Sequence, residues 1–509
     1  MILGICKKLI VLFIFLLFNP LISQQYSDQL QLRTDQLGQS SYYFRSDNPF
    51  IFDDAQVDNI NFNGSLNNPT SRFLFSKIPD IKPDSTVLTF FKWHQGDFSY
   101  REILVGLSSI NLNGTLINFK GMGRSFPGKY NHLNTIGSSS DNVLQNYLIT
   151  FGKESDRSTS SISFFHHREN SGIPVNATNN SYRKSRSYNA GVSYRLSGDM
   201  VTYDFSGAFQ FLHTSTQTIT DIDENTNISY EDFTYWLDSK AIYNLSDNSE
   251  YIVKYSIKKV NISPQNLSQE SQDLFDYQGY LNYRWQDGIE TKIGVIYLSN
   301  EKIYPVGSAF KKYDKLTFGI SRNVFSSFYH ESDFILEKKY WHSSSVWSDF
   351  NHGKFSSKLK IIQLRYENEN YLIINPQISY LVNWFELVYS GHYNNSETSI
   401  ISEQSSFSIE IIPTLKNKRY RPFIKLEGTH TNLNGSGNNN INFLETNQLS
   451  YYPDSKIYSL LDMSIGIKIE HFSVSFKFVQ IFDKNSIVSP EILPVDKMNF
   501  LDVFWLFND

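Results

Sequence analysis

Cysteine is almost missing from this sequence, and the little there is stands in the wrong place for structure. The only cysteine among 509 residues is Cys6, so a chain that sheds its first residues carries no disulfide staple and no thiolate metal site. A lipoprotein anchor is excluded as well, because Cys6 precedes the apolar run of the leader instead of sitting at a cleavage point. Long hydrophobic runs are equally scarce. Beyond Phe18 nothing approaches the roughly 18 consecutive apolar residues of a membrane helix. Excess positive charge is lacking too: 46 Lys and Arg stand against 51 Asp and Glu, and without Lys7 and Lys8 the balance is 44 against 51. A net charge of 44 minus 51, or −7, argues against a nucleic-acid partner.

What is present begins with a leader. Lys7 and Lys8 precede an apolar run from Leu9 to Phe18, followed by Asn19-Pro20 and the small Ser23. This order predicts a signal peptide over residues 1–23, cleaved near Ser23 or Gln24, and an exported mature protein. If that protein is integral to a membrane, it must be a closed barrel, because lipid tolerates no unpaired backbone groups. Aromatic residues make up 16%, with 32 Tyr and 40 Phe, enough to furnish girdles at two membrane interfaces. A coding bias toward Asn, Ile, Lys, Tyr and Phe accounts for part of that excess. The pattern of residues does not depend on it.

That pattern is alternation. From Val201 to Leu212, Val201, Tyr203, Phe205, Gly207, Phe209 and Phe211 fall on one side, and Thr202, Asp204, Ser206, Ala208, Gln210 and Leu212 on the other. Strand side chains point alternately to opposite faces, so the segment has one oily wall and one mostly wet wall. The same holds for Tyr188 to Arg195 and for Tyr277 to Trp285. It is sharpest near the end, where Leu461, Met463, Ile465, Ile467 and Ile469 alternate with Asp462, Ser464, Gly466, Lys468 and Glu470. Segments of this kind, from about Ser85 to Phe507 and behind a leader, are the signature of a transmembrane barrel. The expected fold is all-β, a transmembrane antiparallel up-and-down β-barrel of about 20–22 strands.

Links between the segments fall into two classes. Tight ones at Asn111 to Gly114, Ser155 to Arg157, Ser197 to Asp199, Gln286 to Gly288, Val382-Asn383 and Glu470-His471 read as periplasmic turns. Longer ones at Ser125 to Val143, Ser171 to Lys184, Ser215 to Asn227, Asn261 to Asp273, Tyr304 to Lys312, Asn394 to Gln404, Asn434 to Pro453 and Phe482 to Lys497 read as extracellular loops. About twenty-one strand candidates result, an odd number where bacterial barrels have even ones. The parity breaks between Ser321 and Leu381. Before the barrel, Gln24 to Pro83 alternates weakly and holds Asn48-Pro49, Asn68-Pro69, Ile78-Pro79 and Lys82-Pro83. The division is therefore residues 1–23 as signal peptide, 24–83 as an N-terminal periplasmic or lumenal segment, and 84–509 as an outer-membrane β-barrel.

The last fifty residues carry a resemblance. Tyr458 to Ile469, the turn at Glu470-His471, the stretch from Phe472 to Ser486 and the closing run from Met498 to Asp509 look like the final strands of TonB-dependent receptor barrels. Gln480, Ile481, Phe482, Asp483 and Lys484 stand where that family has its penultimate-strand loop motif, with Gln in place of the usual Asn. The resemblance implies that Trp505 and Phe507 form the terminal aromatic pair read by barrel-assembly machinery. It also implies a receptor-like barrel of the porin-like kind, since Gln24 to Pro83 is too short for the family's plug. Outer-membrane lipid and lipopolysaccharide are the expected surroundings, and a surface lipoprotein or a TonB-type motor is the implied partner.

Chemistry-bearing motifs are weak by comparison. His166-His167 reads as a strand-rim pair, since neighbouring strand positions face opposite ways and cannot share a metal. Asp221, Asp223, Glu224, Glu231 and Asp232 lack the spacing of a calcium loop, and Gly121 to Ser125 reads as a strand end without the context of a phosphate-binding turn. Arg183, Lys184 and Arg186 crowd a loop end, where they can meet anionic lipopolysaccharide or draw in anionic solutes. His330-Glu331 and Asp349 with His352 make no distinctive catalytic set. No enzyme activity, metal or cofactor is expected. The lumen-facing residues expected from alternation are Arg195, Asp204, Arg284, Lys292, Lys425, Glu427, Asp462, Lys468 and Lys477, which carry both signs and can tune a pore. The functional expectation is passage or uptake of small hydrophilic solutes across an outer membrane. The rivals are an exported adhesin or binding barrel without transport and, behind it, an outer-membrane hydrolase.

Overall fold

The computed structural model describes residues 87–97, 99, 101–125, 143–173, 180–219, 226–265, 271–332, 335–366, 369–395, 401–413, 419–433, 440–441, 449–450, 457–479 and 498–508. The leader, the segment 24–83 and the motif from Gln480 to Lys484 lie outside the described residues. Regular structure within them is entirely strand. The first half of the wall is β1 (Val87–Gly96), β2 (Arg101–Ile110), β3 (Thr115–Ser125), β4 (Val143–Glu154), β5 (Ser158–Ile173), β6 (Asn180–Ser197), β7 (Val201–Ile219), β8 (Thr226–Ser246), β9 (Ser249–Gln265), β10 (Gln272–Asp287) and β11 (Ile289–Leu298). It continues with β12 (Ile303–Lys312), β13 (Leu316–Ser332), β14 (Ile335–His352), β15 (Phe355–Tyr366), β16 (Glu369–Val382), β17 (Phe385–Asn394), β18 (Ile401–Ile411) and β19 (Tyr420–Leu433). A two-residue ladder of β20 (Asn440–Ile441) and β21 (Leu449–Ser450) stands apart, and β22 (Ile457–Ile469), β23 (Phe472–Val479) and β24 (Met498–Asn508) complete the wall.

Each wall strand pairs antiparallel with the next, β19 passes directly to β22, and β24 pairs with β1 to close a 22-stranded barrel. Closure joins the edge of the first strand to that of the last, the condition a spanning sheet must meet. The seam is reinforced by side chains. Asn499 donates its backbone N–H and its Nδ2 to Asp97 Oδ2 at 2.8 and 2.9 Å, and His94 Nδ1 lies 2.8 Å from Asp502 Oδ1.

Twenty-two strands resolve the odd tally from the sequence, and they relocate its fault. Tyr304 to Lys312, expected as an extracellular loop, is strand β12, while the region from Ser321 to Leu381 is taken up by β13 to β16. Pro305 and Gly307 made β12 look like a loop. Proline survives there because the ladder to β13 begins only at Gly307, so the absent N–H of Pro305 costs no bond on that side. Pro264, Pro376 and Pro422 obey the same rule, each standing where one neighbouring ladder is interrupted or has ended.

Large apolar side chains such as Val253, Ile293, Ile303 and Phe476 are exposed on one face, while Ser163, Ser256, Asp276 and Asn282 are buried on the other. A closed sheet crowds side chains on its concave side and splays them on its convex side. The buried polar set is therefore inner and the exposed apolar set outer, the inverse of a soluble protein. Rings mark both ends of the apolar band. Tyr147, His166, Tyr188, Phe211 and Phe233 form a row toward the long loops, and Tyr251 with Tyr283, Trp384 with Phe385 and Phe472 with Trp505 lie toward the tight turns.

The turn at Gly114 tests this geometry. Its φ is 72°, and an added Cβ would stand 1.8 Å from the Glu154 carbonyl oxygen. Gly114→Val is expected to lower barrel stability by about 1–3 kcal/mol, whereas Gly123→Ala, which meets open space, stays within about 0.5 kcal/mol. Guanidinium unfolding of the refolded barrel in micelles measures both, and equal losses would contradict the turn.

Candidate functional site

The strand register carries all nine of the charged positions singled out in the sequence onto the polar face, where they gather into three clusters. On β6 and β7, Arg195 and Asp204 are direct cross-strand partners, and Arg195 donates from Nε and Nη2 to the two Asp204 oxygens at 2.6 and 3.2 Å. On β9 to β11, Arg284 Nη1 donates to Glu250 at 3.0 Å while its Nε lies 2.9 Å from Glu290, and Lys292 Nζ stands 4.0 Å from the same Glu290 oxygen. Two cations thus meet two carboxylates. On β18 to β23, Lys468 donates to Glu410 at 2.5 Å and rides 4.7 Å above the Phe423 ring, and Lys425 lies 2.5 Å from Glu427. Asp462, opposite Glu427, and Lys477, opposite Ser464, are buried in this cluster.

The partners Glu250, Glu290 and Glu410 were not foreseen, although the signal existed. Glu250 and Glu290 lie within two residues of tight turns, so counting outward from those turns sets them opposite or diagonal to Arg284.

A second component was not legible at all. The ladder from β12 to β13 ends at Gly307 and Arg322, and that from β14 to β15 ends at His342 and Arg365. From Asn323 to Trp341 the described residues of the β13–β14 hairpin pair with one another. One side of this ribbon places Val324 and Tyr340 on Ile296, Leu298, Val306, Tyr280 and Tyr304, with the His342 ring edge-on to Tyr304 at 5.3 Å. Its other side buries Trp341 among Ile362, Leu364, Tyr371 and Ile373. The wall residues of both patches are on the inner face by register, so the ribbon leaves the wall and leans into the barrel.

The remaining motifs resolve simply. His166 stacks with Tyr147 and Tyr188 on the outer face, and the register sets position 167 on the opposite one. Gly121 to Ser125 is the end of β3. Asp349 lies 3.7 Å from Lys358, and His352 is on the other face of β14. Glu231 faces His213 at 3.6 Å. The acids from Asp221 to Glu224 lie outside the described residues, as do the side chains of Asp232, Arg183, Lys184, His330 and Glu331. No cluster able to hold a metal occurs among the described residues. Trp505 and Phe507 stack at 4.6 Å on the strand that closes the barrel. At the loop end of β10, Asp273 accepts from Asn261 and Lys259 at 2.7 and 3.3 Å, and these bonds hold its carboxyl below the ordinary carboxylate range.

The two components differ in weight. Asp204→Asn breaks a half-exposed pair and is expected to cost under about 1 kcal/mol, whereas Trp341→Ala empties a buried patch worth about 3–5 kcal/mol. Limited proteolysis should cut the ribbon much faster in Trp341→Ala than in wild type or Asp204→Asn. Equal rates in all three would show that the patch does not hold it.

Neither a protein-family model nor a curated protein sequence matches the chain. Solved structures match it in fold. The FrpB iron transporter from Neisseria meningitidis (F3-3 variant) superposes with a TM-score of 0.64 at 10% identity, over 83% of this chain and 82% of that one. The ferric yersiniabactin uptake receptor FyuA from Yersinia pestis gives 0.60 at 10% identity, over 84% and 81%. FpvA of P. aeruginosa, solved with heterologous pyoverdines, gives 0.63 at 10% identity, over 84% and 72%. At such identities the likeness is one of architecture. In fold, then, this chain resembles the barrels of TonB-dependent receptors, and its structure is a closed 22-stranded antiparallel β-barrel.

Proposed function

We propose that the barrel serves the passage or uptake of small hydrophilic solutes across the outer membrane, with no covalent step. One observation carries this reading: a closed wall whose inner face is polar and carries the three charge clusters described above, narrowed by an inward-leaning ribbon. A barrel of this strand number has a lumen wide enough to need such narrowing. The similar solved structures, described as an iron transporter and a ferric yersiniabactin uptake receptor, support the reading without fixing the solute. Charges of both signs make the lumen wettable, and selectivity then follows from whichever sign is left in excess along the path. A TonB-type motor or a surface lipoprotein is the partner this reading admits, and Trp505 with Phe507 is its candidate signal for assembly. Residues 24–83 are assigned the role of an N-terminal segment at the periplasmic mouth or within the lumen.

Single-channel recording of the refolded mature chain in a planar bilayer, with and without Gln24 to Pro83, tests the reading. Steady conductance in the intact chain is the open-pore outcome, and silence relieved by truncation makes the segment a small plug. Silence in both forms would refute passage. Arg284→Met leaves Glu250 and Glu290 facing Lys292 alone, so in whichever form conducts, the reversal potential under a salt gradient is expected to move toward cation preference. An unchanged reversal potential would remove this cluster from the permeation path.

A further inference from the structure

The ribbon from Asn323 to Trp341 lies on two unlike surfaces. On one side Trp341 is buried with Ile362, Leu364, Tyr371 and Ile373, a cluster of apolar and aromatic side chains. On the other, Val324 and Tyr340 join Ile296, Leu298 and Val306 together with Tyr280 and Tyr304, and a polar column borders that contact. Its members are the inner-face positions of β10: Asp276, Gln278, Tyr280 and Asn282. Gln278 is directly opposite Leu298, Tyr280 opposite Ile296 and Asn282 opposite Gly294. Ser299, next after Leu298, donates to Asp276 and lies 3.2 Å from the Tyr340 hydroxyl. Gln278 therefore stands between two residues that the ribbon engages, Asp276 through Ser299 and Tyr280 through the apolar patch.

The column is paired incompletely. Gln278 is 3% exposed and Asn282 2%. Neither amide atom of Gln278 has a hydrogen-bond partner among the described residues, nor has Asn282 Oδ1, while Asn282 Nδ2 donates to the Tyr280 hydroxyl. Shielding an unpaired amide costs on the same scale as burying a large apolar side chain gains. The docked ribbon thus gains by covering Ile296 and Leu298 and loses by shutting in Gln278 and Asn282. The Trp341 side carries no such opposition within its cluster. Pairing to the wall ends at Arg322 and His342, which sets the points about which the ribbon can turn.

We propose that the ribbon is a gate that releases β10 to β12 while Trp341 keeps its root anchored. Docked, it narrows the lumen. Released, it opens Gln278 and Asn282 to lumen water and uncovers a polar track along β10 from Asp276 to Arg284. The amides and the apolar patch act in opposite directions, so this opening is local and leaves the rest of the wall closed. As a gate it rests on the reading of the barrel as a passage; the movement itself does not.

Its test introduces one cysteine into the refolded mature chain and follows reaction with a membrane-impermeant maleimide. Ser256→Cys, a near-isosteric change on β9 directly opposite Gln278, reports the column, and Ser343→Cys, directly opposite Leu364, reports the anchored side; both serines are buried. Ser256→Cys is expected to react at least tenfold faster than Ser343→Cys. Adding Gln278→Leu, which removes the unpaired amide, should slow it at least threefold, and adding Val324→Ser, which weakens docking, should speed it at least threefold. Heat-modifiable gel migration reports whether each variant is folded, and since the two changes act in opposite directions, loss of fold in one leaves the other decisive. Equal reaction at the two positions, or a Ser256→Cys rate that neither change moves, would overturn the movable ribbon. In a conducting barrel Gln278→Leu should also lower the fraction of time spent at high conductance, and current unaltered by a variant that slows labelling would overturn the gate. Silence in every form, with labelling that follows the variants, would fault the passage reading and uphold the movement.

Discussion

Every backbone N–H and C=O in this wall needs a partner, and lipid supplies none. The structure meets that demand by closing β24 onto β1, and the effect of the demand can be traced residue by residue. The four prolines found in described strands, Pro264, Pro305, Pro376 and Pro422, all stand where a ladder to one neighbour is broken or finished. Elsewhere a missing donor would leave a carbonyl unsatisfied in the apolar band, at a cost of several kcal/mol by the roughly 2–7 kcal/mol scale for an unpaired buried amide. Ladder continuity therefore decides where side-chain chemistry is permitted to break the strand pattern.

Much of the wall was legible for the same reason. A strand between lipid and water must alternate, and Val201 to Leu212 or Leu461 to Glu470 do so without exception in the direction that matters. Tight turns at Asn111, Ser155 and Glu470 were legible because turn residues are chemically distinct: Asn111 Oδ1, for one, accepts from the N–H groups of Asn113 and Thr115 at 3.0 and 2.9 Å. Strand β12 was misread because Pro305 and Gly307 are turn residues in every local sense, and only the gap in its ladder to β13 makes them harmless. The carboxylates Glu250, Glu290 and Glu410 were missed for a different reason. Their partners lie across strands, and a pairing set by register is not visible until the register is known.

The ribbon between Asn323 and Trp341 shows where alternation loses its meaning. Pattern reading assigns apolar residues to lipid, but Ile296, Leu298, Val306, Ile362, Leu364 and Ile373 are apolar and on the inner face. They need a cover that is not lipid, and Val324, Tyr340 and Trp341 supply it. An apolar patch on a wet face and a hairpin that abandons its neighbours are each anomalous alone. Together they explain one another, since the hairpin gives up ladder bonds and recovers burial.

The two faces of the wall differ in where they carry charge, and the difference follows from what each face meets. Inside, Arg284 with Glu250 and Glu290, or Lys468 with Glu410, find carboxylates within the protein. Outside, Lys259 and Asp273 meet toward the loop ends of β9 and β10 and neutralise each other there. A polar inner face can hold an ion pair at any height of the wall, because water solvates what the partner leaves unmatched. An apolar outer face can hold one only past its aromatic row.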